Sequence, residues 1–89
     1  MNSLRKWPGE ELARPFNWTP RLKTGDGPTG TPTIAVSPSG LAVTYDSTEG
    51  ALTWLRFEGG TSGQTYRVLL TTSTISGEII QSDIDVIVR

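Results

Sequence analysis

Residues 52–72, LTWLRFEGGTSGQTYRVLLTT, decide how the rest of the chain is read. Leu52, Trp54, Arg56 and Glu58 alternate with Thr53, Leu55 and Phe57, and a period of two sends Leu55 and Phe57 to one face of a strand. Those two are expected in the core. Beyond the glycines, Tyr66, Val68 and Leu70 alternate with Thr65, Arg67 and Leu69, which gives a second strand. Gly59-Gly60-Thr61-Ser62-Gly63 joins them and reads as a hairpin connection, because Gly59, Gly60 and Gly63 can take the positive φ that strains other residues.

Tyr66 enters its strand three residues after Gly63. Immunoglobulin-like sandwiches place a tyrosine there whose hydroxyl bonds back to the preceding corner; the alternative is an ordinary strand tyrosine. Downstream of Thr33 the chain punctuates itself every eight to twelve residues, the rhythm of an all-β sandwich. Thr33–Ser37 and Leu41–Asp46 read as strands separated by the turn Ser37-Pro38-Ser39-Gly40. In the final strand, Ile79–Arg89, Ile80, Ile84, Val86 and Val88 share a face opposite Ile79, Gln81, Asp83, Asp85 and Ile87. The fold class expected is a small immunoglobulin-like β-sandwich over residues 31–89.

Residues 1–30 differ in kind. Prolines 8, 15, 20 and 28 leave no room for a helix longer than about a turn or two, so the segment reads as an extended arm and linker with short turns at Ser3–Lys6 and Gly9–Ala13. It nevertheless carries Trp7, Phe16 and Trp18 with Leu4, Leu12 and Leu22, too apolar for an idle tail. Those rings either fold back on the chain's own sheets or anchor in grooves of another subunit. Anchoring is the reading preferred, since a 59-residue β-domain hides only about 60% of its unfolded surface. Trp7, Leu12, Phe16, Trp18 and Leu22 are then the partner-binding residues, with Arg21 among the rim cations Arg5, Lys6, Arg14 and Lys23.

Eighty-nine residues make one domain, and eight basic against nine acidic groups give a formal charge of −1. Residues 1–30 hold five Lys or Arg against three acids and the remainder three against six, too slight a tilt for nucleic acid. Cysteine and histidine are absent. Disulfides, thiolate zinc sites and the usual nucleophile–base pairs therefore lose their residues, and no catalytic, metal or cofactor site is expected. No apolar run suits a signal peptide or a membrane span. Asp83 and Asp85 read as a solvated strand face rather than a calcium site. The glycine-rich stretch lacks the lysine and following helix of a phosphate-binding loop. For Trp54, which shares a face with Arg56, burial under a closed sandwich is preferred to an exposed contact patch.

One resemblance spans nearly the whole chain. Lys6, Pro8, Leu12, Phe16, Asn17-Trp18-Thr19, Leu22 and Gly25-Asp26, then Phe57, Gly59-Gly60-Thr61-Ser62-Gly63-Gln64-Thr65-Tyr66 and Thr71-Thr72-Ser73 before Gly77, resemble the fibre-tail adaptor or neck proteins of tailed bacteriophages. The chain departs from that pattern with Asn17 where aspartate is usual, Arg21 where an aromatic is common, and Gly27-Pro28 where the first strand often starts. The resemblance implies a non-enzymatic virion protein, assembled in the bacterial cytoplasm, present in several copies or a homo-oligomeric ring. It also implies portal, adaptor, tail or fibre subunits as partners. A capsid decoration protein is the alternative, and a carbohydrate-binding module resting on Trp54 a more distant one.

Overall fold

The computed structural model describes residues 3–89. Seven strands run in chain order: β1 (Ser3–Lys6), β2 (Leu12–Asn17), β3 (Pro28–Ser37), β4 (Leu41–Glu49), β5 (Leu52–Gly59), β6 (Thr65–Thr74) and β7 (Ile79–Val88), with one 3-10 turn at Thr19–Arg21. They form two sheets, β1-β7-β6-β3 and β2-β5-β4. The chain is an all-β sandwich, 40 Å long and 19 Å in each other direction.

The period-two patterns become its core. From the four-stranded sheet come Tyr66, Val68, Leu70, Ile80, Ile84, Val86 and Val88; from the three-stranded sheet come Leu41, Leu55 and Phe57. Each strand buries one face because alternate side chains leave the pleat on opposite sides. On the outer face, Asp83 and Asp85 flank Arg67, whose Nε lies 3.5 and 3.3 Å from their carboxylates. The solvated strand face expected there is what the structure has.

Two expectations give way. First, Gly59–Gly63 does not close a hairpin: β5 and β6 belong to different sheets, and the segment arches from one to the other. Gly60 has a φ of +96°, and a Cβ there would stand 2.7 Å from Val88 Cγ2, so only glycine passes over the core at this point. Gly59 and Gly63 also take positive φ, and the Gly63 N–H donates to the Val88 carbonyl at 2.9 Å. Tyr66, fully buried, accepts a 2.9 Å hydrogen bond on its hydroxyl from the Thr61 N–H, five residues upstream. That bond fixes the corner at which the chain changes sheets.

Second, residues 1–30 are not an arm lying apart from the sandwich. Ser3–Lys6, read as a turn, is a strand paired in parallel with β7, and Leu12–Asn17 pairs antiparallel with β5. The prolines did exclude long helix, but Pro15 is tolerated in a strand that sits at a sheet edge, where a missing N–H leaves no ladder bond broken.

At the far end of the sandwich the loop before β3 is tied to the β6–β7 turn by Asp26. Its carboxylate accepts from the Ser76 hydroxyl at 2.6 Å, the Ser76 N–H at 3.0 Å and the Gly27 N–H at 2.9 Å. These donors, the Ser76 hydroxyl foremost, favour the ionised form and lower the pKa from 3.8 to about 2. A lowered folded-state pKa means the tie contributes fully above about pH 3.8 and is lost as pH falls toward 2. Thermal melts from pH 5 to 2 are expected to show a steeper loss of stability for the native chain than for Asp26→Asn; parallel curves would remove Asp26 from this role.

Candidate interaction surface

The N-terminal segment sends its apolar side chains in two directions. Phe16 and Trp18, expected as anchors in a partner's groove, are buried in the chain's own core, Trp18 completely at 0% exposure. Phe16 lies opposite Thr53 in the β2–β5 register and so faces inward with Leu55 and Phe57. The two rings meet edge to face, with centroids 4.7 Å apart at 69°. Trp18 is tethered twice: its indole N–H donates to Thr53 Oγ1 at 2.9 Å, and its main-chain N–H donates to the Ala51 carbonyl at 2.9 Å. Leu22 is half-buried against the same core. Leu12 is half-buried and stands opposite Phe57 in the register, while Arg21 is exposed on the 3-10 turn.

Trp7 alone among the three arm rings stands in solvent, 59% exposed. Its backbone is nonetheless fixed. The Trp7 N–H donates to Glu10 Oε1 at 2.8 Å and the Glu10 N–H donates to the Trp7 carbonyl at 3.0 Å, closing a turn over Pro8-Gly9. The same carbonyl accepts from Lys6 Nζ at 2.8 Å. Beyond the end of β7, the Arg89 guanidinium carbon lies 5.9 Å from the centre of the Trp7 ring, within cation–π range. A large ring held by a rigid frame and flanked by a guanidinium is a ready anchor, because little conformational entropy remains to be lost when a partner covers it.

Lys6, expected as an exposed rim cation, is buried at 1% exposure. Alternation explains the difference: Leu4 and Lys6 share the inward phase of β1, while Ser3 and Arg5 face out. The Lys6 ammonium is capped by two main-chain oxygens, that of Trp7 and that of Gly59. It thus joins β1, the Trp7 turn and the end of β5 beneath the exposed ring. The sequence marks Lys6 as an exposed rim cation and not as a buried brace, and it does not mark Arg89 at all. The two-residue step from Leu4 to Lys6 was the signal for the lysine; for Arg89, only the pairing of β1 with β7 brings it near.

Trp54 corrects a third expectation. It lies on the outer face of the three-stranded sheet, half-exposed, with its indole N–H donated to Glu49 Oε1 at 2.8 Å. Its phase is opposite to that of Leu55 and Phe57, which occupy the core, and among the described residues no third layer covers it.

A search among curated proteins finds no match to this chain. The family model described as "Podophage GP4 fiber-tail adaptor protein gp77" matches residues 6–87, from the buried Lys6 to Ile87, one residue short of the end of β7. The match takes in all of β2 to β6 and nearly all of β7, with Lys6 alone from β1, and so spans both sheets; the chain therefore belongs to the podophage fiber-tail adaptor family.

Proposed function

We propose that the chain serves as a non-enzymatic structural adaptor in a bacteriophage particle, where it joins tail and fibre components and docks through the end of the sandwich that carries Trp7. Family membership supports the role, and the exposed, framed indole supports the place of contact. Several copies arranged around the neck or tail would each present this end to portal, tail or fibre subunits. Assembly would take place in the host cytoplasm. The docking residues are Trp7 and Arg89, with Glu10 holding the turn; Arg21, on the 3-10 turn beyond the other end of β2, lies outside that contact.

The fold itself is proposed to be immunoglobulin-like. Lettered A to G in chain order, the sheets read B-E-D and A-G-F-C, so that only the first strand sits on a different sheet from the constant-type arrangement. The hydroxyl of Tyr66 at the E–F corner fits that pattern.

Trp7→Ala separates docking from folding. Because the ring is exposed, its removal is expected to change stability by no more than about 0.5 kcal/mol. As a central anchor it is expected to weaken attachment by about 2 kcal/mol or more, roughly thirtyfold. Particles assembled with the variant, assayed for bound adaptor and for fibres, check both parts. Normal incorporation of Trp7→Ala would remove this end from the interface.

A further inference from the structure

Four strands form the sheet edges: β1, β3, β2 and β4. An unprotected edge invites another strand, and natural sandwiches blunt their edges with prolines, bulges or very short strands. β2 carries Pro15; β3 carries Pro28 and Pro32 and a register shift between Thr29 and Thr33; β4 has a register shift between Tyr45 and Ser47. β1, Ser-Leu-Arg-Lys, has neither proline nor bulge; it is limited by its shortness and by the charges of Arg5 and the inward Lys6, which leave the stretch at Ser3 and Leu4 open. The Arg89 N–H donates to the Lys6 carbonyl at 2.9 Å, so Lys6, and Leu4 two residues before it, turn their main-chain groups toward β7. Ser3 and Arg5 consequently present theirs to the open side.

That open edge borders a cleft of about 310 Å³ between β1 and β2. Leu4, Phe16, Phe57 and Ile84 line it, and Arg14 stands at its mouth. The inner phase of β2 aims Arg14 across the cleft, opposite Leu55 in the register. Its guanidinium bonds only its neighbouring Ala13 carbonyl, at 2.8 Å, and among the described residues no carboxylate pairs with it.

We infer that β1 and this cleft receive an extended peptide segment of a partner protein, which adds a strand at Ser3 and Arg5 and inserts one apolar side chain, with a carboxylate two residues away meeting Arg14. The three features converge on one occupant. Open main-chain groups select an extended chain; the apolar floor selects an aliphatic or aromatic side chain; the unpaired guanidinium at the rim selects an acid on the same face, two positions along. The site lies beside the Trp7 turn, since β1 ends where that turn begins. It does not depend on the adaptor reading, and its test uses no particle.

The probe is a fluorescein-labelled decapeptide of alternating threonine and valine with Val-Thr-Asp at its centre, compared with the same peptide carrying lysine for aspartate. Anisotropy titration of the full chain is expected to give about fivefold tighter binding of the aspartate peptide, the size of a partly exposed ion pair. Methyl shifts are expected at Leu4 and Ile84. Arg14→Gln is expected to erase the preference while leaving both peptides bound. Arg5→Pro removes an outward N–H without touching the β7 ladder, and is expected to abolish binding of both. No binding up to about 1 mM peptide, equal affinities for the two peptides, unchanged titrations in both variants, or shifts confined to another face would each overturn the inference.

Discussion

Trp18→Ala is expected to destabilise the isolated protein by about 3 to 5 kcal/mol, the cost of truncating a fully buried large aromatic. A chain of this size is stabilised by roughly 4 to 13 kcal/mol in total, taking about 0.05 to 0.15 kcal/mol per residue, so the variant loses much of its margin. The indole fills space between the sheets against Phe16 and satisfies Thr53 from 2.9 Å away. Removing it leaves a cavity and strips a buried hydroxyl of its donor, and both terms act in the same direction. Chemical denaturation of the purified variant checks this, with Trp7→Ala as the exposed control. A Trp18→Ala protein as stable as the native chain would place the ring outside the core.

Deletion of residues 1–24 is expected to abolish cooperative folding altogether. The cut removes β1 from the edge of the four-stranded sheet and β2 from that of the three-stranded sheet, together with Phe16 and Trp18. What remains is a three-stranded and a two-stranded sheet with Phe57, Leu55, Ile84 and Val86 uncovered along one side. Five strands with that much apolar surface in water fall short of what a domain this small needs to bury. A sharp, reversible melt of residues 25–89 would contradict the deletion's expected effect and return the first thirty residues to the status of a separable arm.

The sandwich from β3 onward was legible because its signals are local. A strict period of two in Tyr66-Val68-Leu70 and in Ile80 through Val88 needs no knowledge of distant partners, and turn residues punctuate the rest. The N-terminal strands were not legible for the converse reason. Ser3–Lys6 is four residues long, and Leu12–Asn17 contains a proline that local propensity counts against a strand. Both exist because the edges of two sheets, 35 or more residues away in sequence, supply their hydrogen bonds and their apolar cover. The arch at Gly59–Gly63 reads as a hairpin in the sequence because positive-φ glycines serve both geometries; only the long-range fate of β5 and β6 separates them.

The same limit applied to the interaction surface. The sequence grouped Trp7, Phe16 and Trp18 by composition, while the structure divides them by phase and tether, burying two and leaving one exposed. Sequence could establish that aromatic rings need shelter, yet the number left exposed depended on how much room the chain's own sheets offered.

Hydrogen exchange at the three indole N–H groups of the isolated chain tests most directly the claim that the N-terminal segment completes the sandwich and leaves Trp7 for a partner. The Trp18 indole, buried and bonded to Thr53, is expected to exchange only with global unfolding, and the Trp7 indole at close to the rate of a free side chain. A Trp18 indole exchanging as fast as that of Trp7 would contradict the account.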